Sequence, residues 1–300
     1  MSLSNTRSTV IGAANFDPAL VEAIVRSTDA AAAASAALIG QADKNAIDEA
    51  AVAAMRSMLL AAPFAGTVVI GEGEKDEAPM LANGEQLGLG FSPSLSSAER
   101  AAFVDCDIAV DPLDGTRLAA EALPGAVCVL ALAPRGTLFD PRDVFYMHKL
   151  ISGPEAVGVL DLNVSASENL HRLAEATGRS VRELTVAVLD KPRHRELIAE
   201  LQTAGARVHL LGEGDIGSAI QAATPGSAID VAMGIGGTPE GVIAACAVRA
   251  LGGFMQGRLA PQSEEQLALA HSAGHDLSRV LTLDDLVASE RVLFVSAPVT

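Results

Sequence analysis

The chain has no tryptophan and a single tyrosine, Tyr146, so it has little with which to stack nucleobases. Basic residues are also scarce. Lys and Arg total 21 against 37 Asp and Glu, a formal net charge of −16. A surface of that sign repels a phosphate backbone, which argues against a nucleic-acid partner. No apolar run reaches the roughly 18 residues of a membrane helix, so no membrane partner is expected. The alanine-rich residues 30–37 follow Glu22 and Asp29 without a basic leader and read as a buried helix, not a signal peptide. The three cysteines, Cys106, Cys128 and Cys246, are odd in number, widely spaced and set among apolar residues. They read as reduced thiols of a cytoplasmic protein; a redox pair is the less favoured alternative.

What is present is ample apolar residue, 49 % of the chain, enough for one large core or two medium ones. Asp17-Pro18 offers a capping carboxylate and a first-turn proline, predicting a helix to about residue 39. Asp43-Lys44-Asn45 interrupts it, and helical spacing resumes over 46–62. Short β-branched or apolar runs at 67–70 and 108–110 predict strands, and 126–133 reads as a strand covered on both faces. Residues 91–98, rich in serine, read as an exposed loop. From 167 onward helices and strands alternate: helices at 167–176, 193–203 and 216–223, strands at 184–189, 207–211 and 228–233, then a helix after Thr238-Pro239 and strands near Phe254 and Val292. That rhythm predicts an α/β half with parallel strands. The expected organisation is two α/β halves, roughly 1–160 and 161–300.

Four segments carry more acid or glycine than a fold needs. Asp43 to Asp48 places two carboxylates around a helix start. Gly71-Glu72-Gly73-Glu74 follows a strand with two like charges that repel unless a cation or solvent intervenes. Asp111-Pro112-Leu113-Asp114-Gly115-Thr116 puts a carboxylate just past a buried strand, where desolvation is costly and a hard divalent cation would offset it. A capped turn would use the same residue types. Gly234-Ile235-Gly236-Gly237-Thr238-Pro239-Glu240 enters a helix, with Thr238 expected as cap; Pro239 in the slot of a third glycine excludes a dinucleotide fingerprint. Lys191-Pro192-Arg193-His194 is a compact cationic cluster at the C-terminal end of a strand, where open α/β sheets bind ligands. An acidic chain can hold a phosphate ester only where such local cations overcome the general repulsion.

With these segments in view, the sequence resembles the class II fructose-1,6-bisphosphatases of bacteria. The Gly71-to-Leu81 and Gly236-to-Gly241 blocks are specific to that family, and the Asp111-to-Thr116 turn is shared across the lithium-sensitive phosphatases. The resemblance implies a layered α-β-α-β-α sandwich, a homodimer or homotetramer, and two or more Mg²⁺ or Mn²⁺ ions per site. It also implies a metal-binding first half and a sugar-phosphate-binding second half. Asp48 and Glu72 match ligands of one metal, and Asp111, Asp114 and Glu240 match ligands of another. Thr116 matches the hydroxyl that activates water, working with Asp48 and Glu72. Tyr146, Lys191, Arg193, His194, Glu213, Asp215 and Gly237, with Asp114, Gly115 and Thr116, match substrate contacts. The implied reaction is hydrolysis of the 1-phosphate of fructose 1,6-bisphosphate. Asp114 stands where many members have Glu, and Glu213 where Asp is typical. The chain ends at Thr300, short of the C-terminal segment the resemblance leads one to expect. Alternatives are another substrate, such as sedoheptulose 1,7-bisphosphate or an inositol phosphate, or a non-catalytic sugar-phosphate-binding protein.

Overall fold

Asp17 starts the first helix as its sequence position predicts, and Asp43 starts the second at Lys44, two residues earlier than the expected 46. The Asp17 carboxylate accepts the Ala19 N–H at 2.8 Å and caps α1 (Pro18–Ala36). Asp43 accepts from Ala46 at 3.0 Å and caps α2 (Lys44–Leu60). Each cap satisfies an amide the helix itself leaves open, worth about 1 kcal/mol. The computed structural model describes residues 8–72, 74–75, 78–79, 81–142 and 144–300. The chain divides into two units, residues 1–138 with 289–300, and residues 139–288.

In the first unit a six-stranded sheet is built from β1 (Thr9–Ile11), β2 (Ala65–Ile70), β5 (Gln86–Leu87), β6 (Asp105–Asp114), β7 (Val127–Pro134) and β14 (Leu293–Pro298), in the order β1-β14-β7-β6-β2-β5. β3 (Glu74–Lys75) and β4 (Ala78–Pro79) pair separately, and α3 (Ser97–Arg100) and α4 (Thr116–Ala120) are short. β2 and β6 run parallel; the other pairings are antiparallel. Leu20 and Ile24 of α1 and Ile47, Met55 and Leu59 of α2 share one core with Ile108, Leu130 and Val295 of the sheet. Their spacing is the apolar stripe of a surface helix, and each buried side chain of this size contributes about 1.5–3 kcal/mol. The six central residues of β7 are all buried, as the continuous apolar run predicts.

The second unit holds β8 (Tyr146–Ser152), α5 (Ala166–Thr177), β9 (Thr185–Leu189), α6 (Arg195–Ala204), β10 (Arg207–Leu211), α7 (Ile216–Ala223), β11 (Val231–Gly237), α8 (Thr238–Leu251), β12 (Phe254–Leu259), α9 (Glu264–Ser272), β13 (Leu281–Thr282) and α10 (Leu283–Leu286). The sheet order is β10-β9-β11-β8-β12-β13. β9, β10 and β11 are parallel, as the rhythm predicts. β8 is antiparallel to both its neighbours, so the sheet is mixed. α5 and α6 pack through Leu170, Leu173 and Leu201 on the face that carries Leu150, Val186 and Val231. α7 and α8 pack on β8 and β11, against the alternate side chains. One unit is thus an α-β stack and the other an α-β-α stack, an α/β fold with two mixed sheets.

Candidate active site

In the first unit β6 continues beyond the point where a Pro-Leu-Asp-Gly turn would stop it, through Asp114. Its register with β7 slips there: Asp111 faces Val129 and Asp114 faces Val127, so β6 carries one extra residue. Pro112 fits because a bulge frees it from donating an N–H to the ladder. The Asp111 carboxylate accepts the Leu113 N–H at 2.9 Å. Gly115 takes φ +81° and begins α4, a conformation that favours glycine. Thr116 then donates its hydroxyl to Leu113 O at 3.0 Å, leaving the oxygen as an acceptor. Asp114 is 6 % exposed, and a carboxylate so buried requires compensation.

Glu72 follows β2, with its N–H donating to Leu81 O at 3.2 Å. Because β2 and β6 are parallel neighbours, Glu72 and the Asp111–Thr116 segment lie at the same sheet end. The Gly40 and Ala42 N–H groups donate to Ala119 O and Ala120 O at 3.0 and 2.9 Å, which sets the start of α2, with Asp48, beside α4. The Glu74 side chain lies outside the described residues. Among the described residues, no three His, Cys, Asp or Glu side chains form a ready metal cluster.

In the second unit the C-terminal ends of the parallel strands β9, β10 and β11 lead into residues 190–194, 212–215 and the Gly237 turn. Lys191 Nζ donates to Gly212 O at 3.0 Å. Arg193 donates Nε and Nη2 to Ile235 O at 3.0 and 2.8 Å, and its guanidinium lies 5.2 Å from the centre of the Tyr146 ring. Tyr146 itself pairs with Gly237 across β8 and β11. His194 differs from its expected role as a phosphate contact. It is 2 % exposed; Nδ1 bonds Leu189 O at 2.7 Å and Nε2 bonds the Ile235 N–H at 2.7 Å. Accepting from an amide leaves Nε2 unprotonated, and burial pushes the ring's pKa below the usual range. His194 is a neutral strut between β9 and β11.

The glycine pattern 234-236-237 has a steric explanation that spacing alone does not give. A Cβ on Gly234 would come within 2.9 Å of His194 Nε2. One on Gly236 would strike Asp215 Oδ2 and approach Lys149 Nζ to 2.8 Å; one on Gly237 would strike the Glu240 carboxylate. Each missing side chain makes room for a polar one. Lys149 is the residue that sequence reasoning misses. It is 5 % exposed, with Nζ 2.5 Å from Asp215 Oδ2 and donating to Gly237 O at 3.2 Å. Its neighbour His148 breaks the apolar run, so the sequence gives no clear signal for it.

Gly237, not Thr238, occupies the cap position of α8, and Thr238 opens the helix with its N–H bound to Phe145 O at 2.8 Å. Thr238 Oγ1 and Glu240 Oε2 are buried and find no hydrogen-bond partner among the described residues. Burial pushes the Glu240 carboxyl above the usual carboxylate range, Asp215 adds to this and Lys149 opposes it. An orphaned carboxylate oxygen of this kind suits a hard cation. Behind Arg193 and His194 lies a cavity of about 350 Å³, also lined by His148, Ser165, Glu196 and Glu200.

Fold and site together define an α/β protein whose strand ends present hard acids in one unit and a glycine-moulded set of bases and acids in the other. The family model for bacterial fructose-1,6-bisphosphatase, glpX-encoded, matches residues 18–300, and the chain belongs to that family. It is 42 % identical over 288 residues to fructose-1,6-bisphosphatase 1 class 2 of Escherichia coli (strain K12), covering 92 % of this chain and 82 % of that relative. The same figures hold for fructose-1,6-bisphosphatase class 2 of Shigella flexneri.

Proposed function

We infer that this chain hydrolyses the 1-phosphate of fructose 1,6-bisphosphate to fructose 6-phosphate and inorganic phosphate. The observation that carries this reading is the family match across residues 18–300, a span that includes the four acidic and glycine-rich segments. Asp48 and Glu72 would hold one divalent cation, and Asp111, Asp114 and Glu240 another; the orphaned Glu240 oxygen supports this assignment. Mg²⁺ or Mn²⁺ there would polarise the phosphate and lower the pKa of a bound water. Thr116, its proton committed to Leu113 O, offers an acceptor that orients the attacking water. Lys191 and Arg193 would hold the phosphate that does not react. Arg193 retains donors beyond the two spent on Ile235, whereas His194 keeps that corner in place. Tyr146, Glu213, Asp215 and Gly237, with Asp114 and Gly115, would contact the sugar. A homodimer or homotetramer working in the cytoplasm belongs to the same reading, and no helix is long and apolar enough to cross a membrane among the described residues.

The test is phosphate release with Mg²⁺ or Mn²⁺ from fructose 1,6-bisphosphate, sedoheptulose 1,7-bisphosphate and inositol monophosphate. Highest kcat/KM on fructose 1,6-bisphosphate is expected. Preference for another ester would transfer the mechanism to that substrate, and binding without turnover would replace it with a carrier role.

A further inference from the structure

Asp215 stands at the cap position of α7, yet its carboxylate makes no cap bond. It is drawn instead to Lys149, 2.5 Å away and on another element. Asp at a helix start ordinarily bonds the helix's own amides, so a local preference is overridden for this pair. The lysine is also built in tightly. Its stem passes Gly241, where a Cβ would lie 3.3 Å from Cδ, and Gly236, where one would lie 3.0 Å from Cε. Its ammonium reaches two separate connections, Asp215 between β10 and α7 and Gly237 O between β11 and α8. A buried ion pair of this type is often replaceable by apolar side chains without loss of stability. Stability alone is therefore a poor reason for it.

We propose that Lys149 is a positioning residue of the substrate site, holding the Asp215 carboxylate where it meets the sugar phosphate, while the bond to Gly237 O fixes the ammonium itself. This rests on the reading of Asp215, Gly237 and Glu240 as groups that face substrate and metal. Lys149 would act through Asp215 and need not touch substrate. The tie also explains why glycine is required at 236: any side chain there would push the ammonium off both partners.

The experiment is a double-mutant cycle of Lys149→Met and Asp215→Asn, with kcat and KM for fructose 1,6-bisphosphate and thermal unfolding of each variant. Lys149→Met should lower kcat/KM by about ten- to a hundredfold, the range for losing one charge-assisted contact. The double variant should be no worse than Asp215→Asn alone, and at least as heat-stable as Lys149→Met, since it leaves no half-buried carboxylate without its cation. Losses that multiply in the double variant would overturn the proposal. So would a Lys149→Met enzyme with a lowered Tm but unchanged kcat/KM, the mark of a purely structural lysine. If Lys149→Met does not fold, the double variant set against Asp215→Asn still decides: equal kcat/KM supports the tie, and a further tenfold loss removes it. A wild-type chain that hydrolyses no sugar phosphate would overturn the functional reading and this proposal together. An active wild type with multiplying losses overturns the proposal alone.

Discussion

Arg193 carries two duties that a substitution should separate. Its fork on Ile235 O and its stacking on Tyr146 place the guanidinium, and its remaining donors suit two phosphate oxygens at once. Arg193→Ala should raise KM for a bisphosphate roughly 10- to 150-fold, with little change in kcat. A monophosphate substrate should hardly notice. Equal losses on both substrates would place Arg193 at the reacting phosphate or in the framework. His194 gives a pH prediction of definite sign. Its folded pKa lies below the unfolded value of about 6.5, because burial disfavours the charged ring. Its contribution to stability is therefore complete above pH 6.5 and is lost as pH falls toward the folded pKa. The Tm gap between wild type and His194→Gln should narrow below about pH 6.5; a gap that stays constant or widens would refute the neutral-strut role. The phosphate-binding duty of Arg193 was legible in the sequence, but its tie to Ile235 O and the strut role of His194 were not. Lys191, Arg193 and His194 look alike as a basic cluster until their backbone partners, Gly212, Ile235 and Leu189, are known.

At the level of elements, the helix start at Asp17 and the helix–strand alternation after residue 165 were readable, because caps and apolar periods are local signals. Two features were not. β8 carries His148 and Lys149 in its middle, which breaks the apolar run that marks a buried strand. β6 passes through Pro112, and Pro-Leu-Asp-Gly reads as a turn where the chain forms a bulge. The bulge is what turns Asp111, Asp114 and Thr116 into one short presentation of acceptors. Thr116 sits inside α4 with its hydroxyl donating backward to Leu113 O, so it is not a helix cap. Thr116→Ala should cost only about 1 kcal/mol of stability while lowering kcat by about 10²- to 10⁴-fold. Near-normal kcat on every substrate would end the water-orienting role.

For the whole molecule, a net charge of −16 is at odds with an anionic substrate unless cations intervene. Excess chelator should abolish phosphate release, and Mg²⁺ or Mn²⁺ should restore it; full turnover in chelator would remove the metal assignment of all five acids. Cys106 and Cys128 offer no competing nucleophile. Cys106, Cys128 and Cys246 are buried thiols that form no disulfide among the described residues, and burial pushes the Cys106 thiol up to about 12 and Cys128 higher than its usual value. Neither is a thiolate at neutral pH.

The placement of β14 between β1 and β7 has a consequence for the order of assembly during synthesis. The second unit is inserted within the first, so it is translated and able to collapse while the earlier sheet still lacks an inner strand. Until residues 293–298 emerge, β7 presents an open edge and β1 has no partner in the sheet. Exposed edges of this kind invite wrong pairing. A ribosome-stalled chain ending at residue 288 should show protease resistance over 139–288 and cleavage within 1–138, with protection of the latter appearing only when β14 is added. Equal protection of both stretches before that point would mean that the first sheet can hold together without its last strand.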